Sequence, residues 1–235
     1  MPESPVLKAS TKEVPFFGNP DGRKCGPCVY RMVLKYFEPE KDYSFEEINQ
    51  LCAAVPKKNT WLFAITTNLA DMGYDVRVIT NYDFPRMVYD FEGYLTDRDG
   101  ADSAKRSIES SDMDHLPQQI KKFDEYARSG RIIFEERHWT KENLIDALDA
   151  GYLACIWVNY YTLRKAKGHA GHFILCFDYD DDHFIIHDPG HTDEESYMVN
   201  KAIPYNLLIE AASQGGFGKT DDLILIKPKK DGLKS

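Results

Sequence analysis

The stretch Lys24–Phe37, KCGPCVYRMVLKYF, places a cysteine directly before a segment with helical periodicity. Apolar side chains recur at the spacing of one buried helix face, at Val29, Met32, Val33, Tyr36 and Phe37. Pro27 falls in the first turn, where the N–H that proline lacks would have no intrahelical acceptor. The pattern predicts a core helix with Cys25 at its N-terminus. The helix dipole there favours the thiolate, which is the nucleophilic form of cysteine.

The same residues allow three other interpretations. A Cys-Gly-Pro-Cys motif is typical of thioredoxin-like redox pairs, but that motif follows a strand, whereas residues 18–24 (GNPDGRK) have the composition of a loop. A Cys-x-x-Cys pair can form half of a zinc site, which needs a second pair, and the other cysteines are isolated in apolar contexts, at Cys52, Cys155 and Cys176. The third alternative is a small buried residue in a core helix. The nucleophile interpretation therefore requires a base elsewhere in the chain.

Composition and charge limit the class of protein. The chain has 235 residues, 43% of them hydrophobic, and a net charge of −9 without a long basic run, so we expect a globular protein and no nucleic-acid partner. No stretch approaches the roughly 20 apolar residues of a membrane span. The first residues lack the pattern of a secretion signal, and the five cysteines are not densely spaced. These features predict a soluble, cytoplasmic protein without a membrane span, and no pattern sets its oligomeric state.

The domain organisation follows from changes in composition along the chain. Residues 1–13 are predicted to form an N-terminal arm, residues 14–227 a single domain and residues 228–235 a tail. Within the domain, the polar segment 97–130 is predicted to be an insertion of loop and helix. This segment and the loop 160–170 are candidate rims of a substrate site.

Local signals place the remaining elements. Ser44 and Glu47 form a capping box, and Thr140 is predicted to cap a further helix. Strand patterns begin after residue 152, with a near-continuous apolar run at 153–158 and two more runs at 171–177 and 183–188. Helices in the first half followed by strands in the second indicate an α+β fold rather than alternating βαβ units.

The base is predicted from the last two strands. A hairpin centred on Asp180 pairs His172 directly with Asp188, within about 5 Å at the Cβ atoms. A carboxylate beside a histidine holds it in one tautomer and raises its basicity. Both residues lie at the same edge of the sheet. Cys25, His172 and Asp188 are therefore the candidate nucleophile, base and orienting carboxylate.

A metal cluster is an alternative use of the histidines. His169, His187 and His191 lie close to His172 in the sequence. In a strand, however, His187 faces away from its neighbour Asp188, and His169 and His191 are predicted to lie in loops. The sequence therefore favours a histidine base, with no metal and no cofactor. A buried structural histidine is the remaining alternative.

These motifs, in this order, resemble cysteine peptidase family thirty-nine, the papain-fold, bacteriocin-processing (double-glycine leader) peptidases and their stand-alone relatives. The resemblance spans about residues 14–227 and is carried by Val14–Phe17, Cys25–Pro27, Gly171–Phe173 and His187–Gly190. It implies a papain-like α+β fold in which a nucleophile helix packs on a C-terminal antiparallel sheet. It also implies acyl-cysteine chemistry on a peptide or amide substrate.

The resemblance assigns a role to each site residue. Cys25 attacks a carbonyl, His172 transfers the proton and Asp188 orients the imidazole. The family usually has a glutamine about six residues before the cysteine, whose amide helps to form the oxyanion hole. That position is Asn19 here, with the same donor on a shorter side chain, and Asn19 is the expected oxyanion donor. The family has a small unreactive residue at the position of Cys28, so a reversible Cys25–Cys28 disulfide is a further hypothesis.

The expected function is that of a cysteine peptidase or amide hydrolase. One alternative is acyl transfer, in which an amine resolves the same thioester. Another is a catalytically silent binding module, which the replacement of glutamine by Asn19 motivates. The segment 215–220 (GGFGKT) resembles a nucleotide-binding loop only superficially and precedes a strand, so export of leader peptides is not implied.

Overall fold

The computed structural model describes residues 12–191, 193–215 and 221–229. Most of the predicted arm and tail and most of the glycine-rich segment 215–220 lie outside the described residues. The described helices are α1 Cys25–Phe37, α2 Phe45–Leu51, α3 Leu62–Asp71, α4 Phe84–Tyr89, α5 Phe91–Asp99, α6 Ala101–Glu109, α7 Leu116–Arg128, α8 Lys141–Asp149, α9 Tyr160–Leu163 and α10 Tyr205–Ser213. The strands are β1 Tyr74–Thr80, β2 Ile133–Glu136, β3 Leu153–Asn159, β4 Gly171–Tyr179, β5 His183–Asp188, β6 Met198–Pro204 and β7 Leu223–Pro228.

The helix that carries the cysteine has the predicted bounds. It begins at Cys25, ends at Phe37 and buries its apolar face completely at Val29, Met32 and Val33. Its N-cap, Lys24, contributes no side-chain hydrogen bond to the first turn. The first-turn N–H groups therefore have no side-chain cap, in contrast to α2 and α8, where the predicted caps are confirmed as complete capping boxes.

The sheet has the strand order β2-β1-β7-β3-β4-β5-β6. From β1 through β7 to β6 all neighbouring strands are antiparallel, and only the edge pair β1–β2 is parallel among the described strands. The predicted α+β class and the packing of a nucleophile helix on an antiparallel sheet are confirmed. The sheet is larger than the C-terminal strands alone, because β1 and β2 from the first half extend it at one edge.

Helices cover both faces of the sheet. Cys155, Leu175 and their neighbours on one face join a large core with α1, α3 and α7. Ala154 and Ile174, one residue away along the same strands, join a second core with α8 and α10 on the other face. Successive side chains of a strand point to opposite faces, so a strand buried on both sides needs a continuous apolar run. This explains the composition of β3 and β4, on which the site is built.

The segment 97–130 is more helical than its composition indicates. Besides the end of α5 and the predicted α7, it contains α6, whose residues Ala104 and Ser107 are buried. Ile120 and Phe123 of α7 pack into the large core, as predicted. Within the described ranges, no helix combines the length and apolar character needed to cross a membrane.

Candidate active site

Cys25 is the first residue of α1, and its thiol faces His172, which lowers its pKa. The backbone of Gly26 in the same turn and that of Phe173 in β4 also lower the pKa of the thiol. The packing of α1 on β4 brings these groups together, since the ring of Phe173 lies 3.5 Å from where a Cβ on Gly26 would stand. The cysteine is thus held between a helix N-terminus and the first residues of a central strand.

His172 and Asp188 are also in contact. His172 Nε2 lies 2.6 Å from Asp188 Oδ1, and the two residues are 1% and 0% exposed. Their strands are not paired as predicted. Leu175 lies opposite His187, a register that sets Asp188 two residues beyond direct opposition to His172. The side chains still share one face, because the offset of two preserves the period of the strand, and they meet diagonally.

The offset arises at the turn between β4 and β5. Tyr179 pairs with Phe184 and Asp178 with Ile185, a register three residues from the predicted one, which would set His172 and Asp188 on opposite faces. Phe177 forms a bulge, because the next pair is Cys176 with Ile186, and this extra residue reduces the offset to two. The prediction of direct pairing was therefore wrong in register, although the two side chains are in contact. Beyond β5, Gly190 has a φ of 76° and its N–H donates to Asp188 Oδ1 over 2.8 Å. This backbone conformation favours glycine and fixes the carboxylate from a second side.

The charges of the three residues support one another. Burial raises the pKa of the Cys25 thiol, but the positive charge of His172 and the polar groups around the sulfur lower it by more. The net pKa of Cys25 therefore lies below the ordinary 9.0. Burial lowers the pKa of His172, but Asp188 and Cys25 raise it to about 10. Burial raises the pKa of Asp188, and His172 with other partners reverses this to a net lowering. These shifts favour a thiolate paired with an imidazolium over a neutral thiol beside a neutral imidazole.

Arg164, which follows α9, is a site residue that the sequence did not reveal. Its Nη2 lies 2.7 Å from Asp188 Oδ2 and donates to the carbonyl of Ser196 over 2.6 Å. Its guanidinium stacks on the ring of Tyr160 at 3.7 Å. Arg164 is one of the groups that lower the pKa of Asp188. The loop 160–170 was predicted only as a rim, because a lone arginine in a loop has no periodic signal.

Aromatic contacts enclose the imidazole. Tyr160 meets the His172 ring edge to face at 5.3 Å and the His191 ring at 5.2 Å. Burial, with the positive charges of His172 and Arg164, lowers the pKa of His191, so this second histidine is neutral when His172 is charged. His191 therefore does not compete with His172 for the proton.

Asn19 is buried and bonds to the loop after Asp188, but it is used differently from the other three candidate residues. Its Nδ2 donates to the carbonyls of Gly190 at 3.1 Å and His191 at 3.4 Å, while its Oδ1 accepts from the N–H of Lys24 at 3.0 Å. Its own N–H donates to the carbonyl of Pro189. In this arrangement Asn19 ties the loop before α1 to the loop after Asp188, and both amide hydrogens are engaged.

The other cysteines differ chemically from Cys25. Cys28 is fully buried and its thiol donates to the carbonyl of Gly18 over 3.3 Å. Burial raises the pKa of Cys28, and it also raises the pKa values of the thiols at Cys52, Cys155 and Cys176. All five cysteines are free thiols. Cys25 thus stands apart as the cysteine with a lowered pKa.

The histidines near His172 do not converge on one point. His187 faces Val14, whose carbonyl lies 2.9 Å from Nε2, and its Nδ1 accepts from the N–H of Asn200. His183 contacts Asp180 in the turn between β4 and β5. Among the described residues, no group of three or more histidine, cysteine, aspartate or glutamate side chains has the arrangement of a metal site.

Comparisons with known proteins bear on the family. Residues 102–208, a range that contains His172 and Asp188 but not Cys25, match the model of a family described as "Peptidase_C39 like family". No curated protein matches the chain. Among solved structures, the peptidase domain of Streptococcus ComA, described as a bi-functional ABC transporter involved in a quorum-sensing pathway, is 13% identical with a TM-score of 0.44. That alignment covers 92% of this chain and 100% of the ComA chain. The family match indicates a peptidase-related function and confirms that the chain resembles the peptidases of family thirty-nine.

Proposed function

We propose that the chain is a cysteine peptidase or amide hydrolase that works through an acyl-cysteine intermediate, with Cys25, His172 and Asp188 as its catalytic triad. The observation that carries this proposal is the buried contact of His172 Nε2 with Asp188 Oδ1 at 2.6 Å beside the first residue of α1, Cys25, whose pKa His172 lowers while its own pKa is raised to about 10. A buried structural cysteine has no such partner, and its pKa rises instead.

The proposed reaction proceeds in two halves. The Cys25 thiolate attacks the substrate carbonyl carbon and forms a C–S bond. The His172 imidazolium then gives its proton to the leaving nitrogen as the C–N bond breaks, which leaves a thioester. In the second half, the neutral imidazole takes a proton from water, the hydroxide adds to the thioester, and the C–S bond breaks to restore the thiolate. Asp188 holds the imidazole in position throughout.

The oxyanion needs hydrogen-bond donors near the sulfur. The N–H of Cys25 belongs to the first turn of α1, whose N–H groups have no intrahelical acceptor, so it is a natural donor at the positive end of the helix. Asn19 is the second proposed donor. To serve, its Nδ2 must exchange its longer hydrogen bond, to the carbonyl of His191 at 3.4 Å, for one to the oxyanion.

Alkylation by iodoacetamide tests the thiolate–imidazolium pair without any assumption about substrate. We expect Cys25 to be alkylated first, at a rate that is already high at pH 7 because the thiolate is stabilised by His172. In His172→Ala the pKa of the thiol rises, so the rate at pH 7 should fall about 10-fold or more and recover toward pH 10. His183→Ala, which removes a histidine bonded to Asp180 away from the thiol, is the matched control.

The result separates an enzyme from a silent module. Alkylation of Cys25 that is slow at pH 7, or that does not change in His172→Ala, contradicts the proposal.

Whether water or an amine accepts the acyl group is tested by mass spectrometry of the acyl-enzyme formed with an activated ester. Loss of the acyl group in water alone supports hydrolysis, and loss that requires an added amine favours the transferase.

A further inference from the structure

A cavity is lined by Phe173, the residue that follows the candidate base His172. Its volume is about 80 Å³, counted as space open to the centre of a water molecule, whereas one water needs roughly 10–15 Å³. The walls come from the start of α3, from α5 and α6, from β3 and β4, and from the residue directly before β7. The cavity is therefore large enough for a side chain and lies where both halves of the fold meet.

Phe173 connects this cavity to the sulfur. Its backbone is one of the groups that lower the pKa of the Cys25 thiol, and its ring lies 3.5 Å from where a Cβ on Gly26, the residue after Cys25, would stand. The same ring lines the cavity beside Trp157, at a centroid distance of 4.6 Å. The cavity therefore shares a wall with the first turn of α1, where a substrate residue next to the scissile bond would place its side chain.

The walls are aromatic. Trp61, Tyr82, Trp157 and Phe173 all line the cavity. Trp61 is held in place by its Nε1–H, which donates to Ser111 Oγ over 2.9 Å. Aromatic faces attract cations and also pack against aliphatic chains.

Two carboxylates give the cavity a negative charge. Asp222, directly before β7, lines it and is 4% exposed, with Oδ1 accepting from the hydroxyl of Thr80 at 2.5 Å. Asp99 of α5 is the second lining carboxylate. The nearby positive group is Arg98, whose guanidinium lies 3.9 Å from Asp99 and stacks on Tyr82 at 4.2 Å. Two carboxylates against one guanidinium leave a negative charge that a substrate cation can neutralise.

On the basis of the proposed peptidase function, we propose that this cavity is a specificity pocket for a lysine or arginine side chain next to the scissile bond. The aliphatic stem of the side chain packs between the aromatic rings, and the cationic end pairs with Asp222. A neighbouring groove, which shares Thr60 with the pocket, is instead basic through Arg23, Lys24, Lys57 and Lys58. A substrate side chain that binds in the pocket is therefore expected to be positively charged, whereas one that binds in the groove would be negatively charged.

The test uses short peptidyl acyloxymethyl ketones that carry lysine, norleucine or glutamate at either of the two positions nearest the reactive group. The rate of Cys25 labelling is measured by mass spectrometry at pH 8, where Asp222, with a pKa of about 7, is ionised. We expect the lysine probe to react about 10-fold or more faster than the norleucine probe at one position, as for hydrogen bonds to charged groups. In Asp222→Asn this ratio should fall toward one.

Asp221→Asn is the matched control, because Asp221 is the adjacent carboxylate but pairs with His138 at 2.6 Å instead of lining the cavity. It should keep the lysine preference. Equal rates for lysine and norleucine at both positions of the wild-type protein overturn the proposal, as does a preference for glutamate, and neither depends on a variant that must fold. If iodoacetamide alkylation of Cys25 depends on His172 while the lysine preference is absent, the pocket proposal alone has failed. If that dependence is also absent, the peptidase proposal has failed with it.

Discussion

At the scale of single residues, the site is a row of alternating charges. Arg164, Asp188 and His172 contact one another in this order, and the positive charge of His172 in turn lowers the pKa of Cys25. Each charge is stabilised by an opposite neighbour, which compensates for the cost of burial. Arg164 has a double effect, because it holds the Asp188 carboxylate in place and also competes with His172 for it.

Replacement of Arg164 by methionine tests its role as a positioning residue. Arg164 lowers the pKa of Asp188, so its loss should raise that pKa and move the acidic limb of the Cys25 alkylation profile to higher pH. Arg164→Lys should restore most of the wild-type profile, since it restores the charge. The alkylation rate is measured from pH 4 to pH 9, with Arg128→Met on α7 as a surface control. An unchanged profile with reduced stability would show that Arg164 has a structural role alone.

At the scale of elements, the loops around α1 decide whether Asn19 is a structural or a catalytic residue. Asn19→Ala removes its hydrogen bonds to Gly190, His191 and Lys24, so we expect the free energy of unfolding to fall by about 1–3 kcal/mol. If the side chain only ties the loops, alkylation of Cys25 and turnover of an ester substrate should fall in proportion. A donor to the oxyanion affects turnover alone, because alkylation forms no oxyanion. Urea unfolding and the two rates, measured on one preparation, distinguish these results.

The first turns of α1 also set the redox behaviour of Cys25 and Cys28. Cys25 should attack a disulfide reagent rapidly as a thiolate, whereas Cys28 is buried, donates to Gly18 and has a raised pKa. We therefore expect the mixed disulfide on Cys25 to persist at pH 7 and to convert to a Cys25–Cys28 disulfide only as the pH rises. Intact mass spectrometry separates the two products, and Cys28→Ala cannot form the second one. Rapid formation of the internal disulfide at pH 7 in the wild-type protein would support the redox switch instead.

The strands show which features of the site are visible in the sequence and which are not. Apolar runs and turn residues located β4 and β5, so that His172 and Asp188 were matched although the position of the turn and the bulge at Phe177 together leave the register two residues from the predicted one. A bulge depends on side-chain packing on both faces and leaves no composition signal. The contact between Arg164 and Asp188 was also hidden, because it depends on how the loop after β3 folds back over β5.

At the scale of the whole molecule, the motif order in the sequence correctly predicted a helix packed on a sheet, since each half alone buries only one side of its elements. The cavity could not be predicted from the sequence. Its lining residues come from separate helices and strands, and α6, which contributes Ser107, has the polar composition of a loop. The segment 97–130, predicted as a rim of the substrate site, contributes Asp99 and Ser107 to the cavity that we propose as the specificity pocket.

The buried carboxylate in this cavity should leave a signature in the stability of the whole protein. Burial raises the pKa of Asp222 to about 7, the hydrogen bond from Thr80 and the charge of Arg98 oppose this, and Asp221 adds to it. Because the folded pKa lies above the unfolded value near 3.8, the folded state binds the proton more tightly. The stabilising contribution of Asp222 is therefore fully present below about pH 4 and is lost as the pH rises to about 7. Above that pH, Asp222 causes no further change in the free energy of unfolding.

Asp222→Asn removes this dependence while keeping an oxygen that accepts from Thr80. As the pH rises from 4 to 7, we expect the free energy of unfolding of the variant to increase relative to that of the wild type. The difference should reach on the order of a few kcal/mol at pH 8, measured by urea unfolding from pH 4 to pH 8. Asp102→Asn, at an exposed position of α6, should show no such trend. Parallel stability curves for wild type and Asp222→Asn would mean that the carboxylate is already neutralised by its surroundings. The cavity would then lack the unbalanced charge that a lysine or arginine side chain is proposed to satisfy.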